Sequence, residues 1–247
     1  QLSGGTAVER ASELVPQTSG RRAPSVTVDV TSDIPMAAGL GSSAAATVAA
    51  LRVFECVTGP LEDSELLGAA TKAEGHADNA APALFGGLNS VIEVEGASPY
   101  FVRWAWPRDL KLVVATPVVG LATAKARAAL PREVPRADAI FNMQRVLALV
   151  HALQQGDYDR LREAVKDRLH QSARESLVPL LSEALALEDP DVLGAFLSGA
   201  GPSVALLARA GDTKVATRLS SMYERAGVEA TVRTLDVNDQ GSRVLES

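Results

Sequence analysis

The chain has 247 residues, 47% of them hydrophobic and 22% charged, which is room for one large domain or two small ones around a real core. Thirty acidic against 24 basic residues leave a net charge of −6 with no run of Lys and Arg, so neither nucleic acid nor a membrane surface is an expected partner. One cysteine, Cys56, excludes an intramolecular disulfide and a CxxC metal site, and three histidines leave little for a His-rich metal centre.

Residues Ser25–Thr31 (SVTVDVT) alternate apolar and polar, the period of a half-buried strand. After a loop, SSAAATVAALRVFECVT reads as an Ala-rich helix that stops at Gly59-Pro60. Asp63–Lys72 predicts a second helix ending near Gly75, and Leu84–Glu95 a strand with a Gly-Gly weak point. Gly96–Arg108, with two prolines and both tryptophans, reads as a hairpin edge or domain junction, with Trp104 and Trp106 packing at a strand edge. From Lys111 the order is a strand (KLVVATP), helices over Thr123–Leu130, Ala137–Gln155, Asp157–His170 and Arg174–Leu187, a strand-turn-strand unit Phe196–Leu207, a helix Gly211–Ala226 and a strand Glu229–Asp236. That irregular mixture predicts an α+β fold with helices on one face of an antiparallel sheet. No apolar stretch reaches the ~18 residues of a membrane span, and the first residues lack a secretory layout, so the expected location is cytoplasmic. The chain opens on Gln rather than Met, mid-pattern, so a preceding N-terminal segment is expected in the natural protein.

The most informative segment is Pro35 to Ala45: Pro35, Met36, Ala37, Ala38, Gly39, Leu40, Gly41, Ser42, Ser43, Ala44 and Ala45. Two glycines lead straight into a helix that opens with two serines. Gly39 and Gly41 permit positive φ and close backbone approach, and the first N–H groups of the helix favour an anion. The serine hydroxyls can bond phosphate or a Mg²⁺ that it holds. A plain helix start explains GLGSS about as well when the motif is taken alone.

The P-x-x-x-G-L-G-S-S-A-A pattern resembles the ATP-binding motif of the GHMP kinases, and LSGAGPSVALL, Leu197–Leu207, is similar to the family's second glycine-rich loop, with Gly199, Gly201 and Ser203 as support for the phosphate loop. Three further segments resemble the homoserine kinase branch: EGHADNAAPALFGG (Glu74–Gly87), TAKARAALPREV (Thr123–Val134) and DRLHQSARESLVP (Asp167–Pro179). The resemblance covers about Asp33 to Val244. It implies a ribosomal S5-like N-terminal domain over 1–108 and a ferredoxin-like C-terminal domain over 109–247. It further implies ATP as phosphoryl donor, L-homoserine as acceptor, and a homodimer that no residue pattern carries.

Within that resemblance, His76, Asp78, Asn79, Thr123, Arg127 and Arg174 are the candidate substrate residues, with Arg127 and Asn79 as positioning groups. Arg127 and Arg174 offer forks suited to a carboxylate or phosphate, although an arginine in a helix is more often a solvated charge. Ser43 and Glu74 are the implied Mg²⁺ ligands. No catalytic base stands out, since phosphoryl transfer needs mainly positioning and charge neutralisation. The family's first motif, P-x-x-x-A-N-L-G-x-G-x-D, is absent, and HQSAR stands in place of H-Q-P-Y-R. Two other readings stay open: a sister kinase acting on mevalonate or a diphosphocytidyl-methylerythritol, and a nucleotide binder without turnover.

Overall fold

The computed structural model describes Arg21, residues 26–97 and residues 99–245. Contacts divide the chain into two units. One takes residues 41–105 with the flanks up to Ile34 and from Asn238 on; the other takes Pro35–Leu40 and Trp106–Val237.

The first unit contains α1 (Ser42–Thr58), α2 (Asp63–Glu74), α3 (Ala80–Phe85), β1 (Leu88–Ile92) and β2 (Tyr100–Trp104). Alanine has the highest helix propensity, and α1 uses it to present one apolar face on which Ala44, Val48, Leu51 and Phe54 are buried. Gly59 stops that helix at φ 93°, its N–H still bonded to Glu55 O. In α2 the Glu65 carboxylate accepts the N–H of Glu62, which closes the first turn. Leu66, Leu67 and Ala70 of α2 join Leu51, Phe54, Leu84 and Phe85 in one core, and Phe85 stacks on Phe101 with ring centroids 4.1 Å apart. Strands β1 and β2 form the expected antiparallel hairpin, Leu88 opposite Trp104.

Two strand expectations fail here. Residues 26–31 form no strand, and Val26, Val28 and Val30 lie exposed. Alternation says only which side chains would share a face; a strand also needs a neighbour for its N–H and C=O groups, and none pairs with this segment among the described residues. The run Leu84–Glu95 is strand only over β1, because Ala80–Phe85 is helical. Short apolar runs read alike in both states, and the break comes from Gly86, whose added Cβ would sit 2.4 Å from Gly241 N. The C-terminal segment docks on that turn: Gly87 N–H bonds Asn238 O and Ser242 N–H bonds Leu84 O.

The second unit runs β3 (Leu110–Pro117), α4 (Thr123–Ala128), α5 (Arg136–Gln155), a 3-10 turn (Tyr158–Arg160), α6 (Leu161–Ala164), a second 3-10 turn (Ser172–Leu177), α7 (Leu181–Leu185), β4 (Gly194–Leu197), β5 (Val204–Arg209), α8 (Lys214–Arg225) and β6 (Ala230–Leu235). Its four strands pair antiparallel in the order β4-β5-β3-β6, with Val113 opposite both Leu206 and Thr234. Leu219 and Tyr223 of α8 pack with Val113, Ala115 and Leu206 on one face. On the other, Gly194 leaves room for Leu161 and Val165. Helices therefore reach both faces, not one.

The helices expected over 157–170 and 174–187 are shorter than their sequence patterns. The Asp167 carboxylate takes the N–H groups of Leu169, His170 and Gln171, which removes them from any helix ladder. Before Pro179, Val178 is forced into extended backbone. Among the described residues no helix is long and apolar enough to cross a membrane.

Leu206 is fully buried on the central strand β5. Truncation to Ala removes contacts that the rigid sheet cannot refill, so Leu206→Ala is expected to lower unfolding stability by about 2–5 kcal/mol in a denaturant titration.

Candidate functional site

The loop residues Pro35–Leu40 fall in the second unit, and the chain enters the first at Gly41. Each side is described in turn.

In the second unit the loop backbone lies directly on the turn between β4 and β5. Gly39 has φ 76°, and a Cβ there would lie 2.2 Å from Ser198 O and 2.8 Å from Gly201 O, so only glycine fits. Ser198 Oγ donates to Gly39 O at 2.9 Å, Ser203 N–H to Ala38 O at 3.2 Å, and Leu121 N–H to Ala37 O at 3.2 Å. Ser203 is fully buried and shares a 2.8 Å hydrogen bond with the Thr116 hydroxyl. Gly199 faces Gly39 O in return, and Gly201 precedes a cis Pro202. Ala37 also carries positive φ, which its glycine-free sequence did not signal, while Met36 is 84% exposed.

Beside that turn stands Arg174. Sequence alone favoured a solvated charge, but the guanidinium is buried. Its Nε donates to Ala126 O at 3.1 Å, and Nη1 to His170 Nδ1 at 3.0 Å and Gly199 O at 3.4 Å. Arginine only donates, so Nδ1 must accept and the imidazole is neutral. Burial pushes the His170 pKa down, and the Arg174 charge adds to this against an opposing pull from Asp167. Arg174 is itself held below its ordinary value by burial and by the charge of Arg127, with Asp167 opposing. Two guanidiniums close together, with Arg127 exposed and its side chain without a hydrogen-bond or ion-pair partner among the described residues, make an electropositive corner. Thr123 opens the same short helix, α4, and is exposed.

Asp167 organises the neighbouring loop. Besides three backbone N–H groups it accepts Asn142 Nδ2 at 2.6 Å. Burial alone would raise its pKa, but the N–H groups of Gln171 and His170 and the Asn142 amide hold it below the ordinary carboxylate value. Gln171 is buried and accepts Leu197 N–H at 2.7 Å, tying the loop to β4. None of Asp167, Asn142 and Gln171 had been singled out from sequence; an acid three residues before a His inside a matching segment was the available signal for Asp167.

In the first unit, Gly41 (φ 72°) precedes α1, and no side chain caps that helix, so its first N–H groups stay open. A Cβ on Gly41 would lie 4.0 Å from Asn79 Oδ1, which places the Asn79 amide beside the loop. His76 Nδ1 and Asp78 Oδ1 are 2.5 Å apart, and Asp78 Oδ1 also accepts Asn79 N–H at 2.8 Å. Ser43 Oγ donates to Glu74 Oε1 at 3.0 Å, and Thr47 Oγ1 donates to the same oxygen at 2.5 Å. Sequence reasoning found Ser43 and Glu74 but missed Thr47, one helical turn after Ser43. Among the described residues no group of three His, Cys, Asp or Glu could cage a metal. A single carboxylate with hydroxyls is a hard-oxygen set of the kind that holds Mg²⁺ together with waters and substrate phosphates.

The family described as "GHMP kinases N terminal domain" matches residues 6–87, and "GHMP kinases C terminal" matches residues 149–225. A homoserine kinase of Deinococcus radiodurans is 43% identical over 199 residues, which span 80% of this chain and 64% of that protein. One from Moorella thermoacetica is 37% identical over 238 residues, 96% of this chain and 80% of that protein. The crystal structure of a homoserine kinase from Cytophaga hutchinsonii superposes with a TM-score of 0.84 at 26% identity, covering 96% of this chain and 77% of that one.

Two outcomes test the geometry. Gly39→Ala forces a side chain into positive φ against backbone, and its cost of at least ~1–3 kcal/mol is expected to lower the melting temperature. For His170 the folded pKa lies below the unfolded one, so the unfolded chain binds more protons as pH falls. Stability is then complete above the unfolded value of about 6.5 and declines as pH drops toward the folded value. His170→Gln is expected to flatten that slope in melts run from pH 7 to pH 5.

Proposed function

This chain belongs to the GHMP kinases, and we propose that it moves the γ-phosphoryl group of ATP onto the side-chain hydroxyl of L-homoserine, giving O-phospho-L-homoserine and ADP, a step of threonine biosynthesis. The observation that carries this reading is the similarity to proteins named homoserine kinase at 35–43% identity across most of the chain.

The roles follow from charge and shape. Pro35–Ala45 receives the nucleotide phosphates. In support, the N–H groups opening α1 have no side-chain cap, and Gly39 keeps the loop backbone bare. The turn with Gly199, Gly201 and Ser203 holds the loop from behind. Arg174 and Arg127 take the carboxylate of the amino acid. An anion there relieves two like charges, and the bonds from Arg174 Nε and Nη1 to Ala126 O, His170 Nδ1 and Gly199 O fix the guanidinium so that Nη2 is the nitrogen left to meet it. The carboxylate of Asp78 and the amide oxygen of Asn79, with His76 beside them, are acceptors for the substrate ammonium and the reacting hydroxyl, and Thr123 is a further substrate residue of the same proposal.

In the transfer the acceptor oxygen forms its bond to the γ-phosphorus as the bond from that phosphorus to the β,γ-bridging oxygen breaks. ADP departs with the bridging oxygen, and the hydroxyl proton passes to solvent. No side chain is assigned as base, since a loose transition state asks chiefly for alignment and charge neutralisation. Glu74, with Ser43, holds Mg²⁺, which supplies charge neutralisation on the phosphates. Domains over 1–108 and 109–247 and a homodimer belong to the same proposal. An enzyme drawing on ATP and a free amino acid works in the cytoplasm, where both are found.

ADP release is to be measured with Mg-ATP against homoserine, mevalonate, galactose, serine and threonine. Turnover is expected with homoserine alone. Turnover with mevalonate or galactose instead, or ATP binding with no turnover on any of them, overturns the assignment. Arg127→Ala is expected to raise KM for homoserine about 10- to 100-fold, the worth of one charge-assisted hydrogen bond.

A further inference from the structure

Two hydroxyls one helical turn apart on α1 meet one oxygen of Glu74, and their surroundings differ. Ser43 is exposed, whereas Thr47 is fully buried. Water can replace the Ser43 hydroxyl at the carboxylate at little cost, but it cannot reach the place of Thr47. A buried hydroxyl must find an acceptor. Within the helix the Thr47 hydroxyl has the carbonyl four residues back as its habitual alternative; it bonds Glu74 at 2.5 Å instead.

Glu74 is the last residue of α2, followed by Gly75 in left-handed conformation at φ 78°. A glutamate at a helix end has three free rotors and no turn above it to restrain them. Both hydroxyls converge on Oε1, so Oε2 has no protein partner among the described residues and can face a cation. We infer that Thr47 is the positioning residue of the metal carboxylate: its buried hydroxyl fixes the Glu74 rotamer and so sets which oxygen is presented to the metal. This inference rests on the proposed metal role of Glu74 and extends it to a residue that touches neither metal nor substrate. Such outer-shell partners are worth ~10–100-fold in metal affinity.

The test reads metal binding directly. Mn²⁺ is titrated into the chain with a non-hydrolysable ATP analogue, and free Mn²⁺ is followed by its paramagnetic resonance signal. Thr47→Val keeps the shape and removes the hydroxyl; Thr47→Ser keeps the hydroxyl and removes the methyl. Mn²⁺ affinity is expected to fall about 10- to 100-fold in Thr47→Val, to stay at wild type in Thr47→Ser, and to be lost in Glu74→Gln. If Glu74→Gln loses the ion but Thr47→Val binds as wild type, Thr47 is a packing residue and the inference is overturned. Equal loss in the Val and Ser variants overturns it as well, because shape rather than the hydroxyl then matters. If Glu74→Gln binds Mn²⁺ as wild type, the metal reading falls and this inference with it. Thermal melts without metal accompany each variant. Should Thr47→Val be unfolded at assay temperature, Thr47→Ala set against Thr47→Ser makes the same comparison, with loss in Ala alone supporting the inference and equal binding overturning it.

Discussion

Backbone meets backbone at Gly39. Two stretches of chain 159 residues apart in sequence lie so close there that the loop carbonyl accepts the Ser198 hydroxyl and no side chain fits between. The contact depends on hydrogen atoms standing where every other residue has a carbon. Around it the carbonyls of Ala37 and Ala38 accept the N–H groups of Leu121 and Ser203 of the same unit. A loop whose own peptide groups are satisfied from behind does not need side chains to hold its shape. It can keep its front bare for a ligand whose charge is met by main-chain N–H groups, which is what phosphate recognition asks of it.

Polar groups buried in the second unit obey the same accounting. Asp167 sits in a partly buried place that would raise its pKa, and four hydrogen-bond donors reverse the effect. That carboxylate shapes the loop carrying His170 and Gln171, Gln171 joins it to β4, and Arg174 spans from α4 to the Gly199 turn. His170 lies between an acid and a guanidinium, and it is neutral because the guanidinium can only donate. The arrangement gives Arg174 a fixed direction at the cost of desolvating it, and the nearby charge of Arg127 lowers its pKa further against the pull of Asp167. The motif D-R-L-H-Q-S-A-R is thus a self-supporting turn.

How much of this was legible varied with the range of the force involved. The helix of residues 42–58 was visible because alanine content, apolar spacing and the Gly59-Pro60 stop are local properties. The segment 26–31 was misjudged because a strand is a pairing, and alternation contains no information about a partner. Leu84 and Phe85, read from sequence as the start of a strand, close the helix Ala80–Phe85 instead: a short apolar run satisfies either period, and the turn after it is packed by Gly241 from the far end of the chain. The helix expected over 157–170 is cut short by one aspartate whose competing bonds leave no periodic trace, and the one expected over 174–187 by Pro179, which forces Val178 into extended backbone.

The sequence by itself determined the chemistry available: glycines at 39, 41, 199 and 201, hydroxyls opening a helix, one carboxylate at 74, and arginines at 127 and 174. Those follow from residue identity and from conformational preferences that act over a few neighbours. Only the tertiary structure decided which of these groups meet. Thr47 on Glu74, Arg174 on Ala126 and Gly199, and Ser203 behind Ala38 are contacts between residues 25 to 165 positions apart. Their geometry is set by how buried hydroxyls, guanidiniums and carboxylates satisfy one another once water is excluded. No local periodicity encodes that condition, because the partner is chosen by the packing of whole elements rather than by its neighbours in the chain.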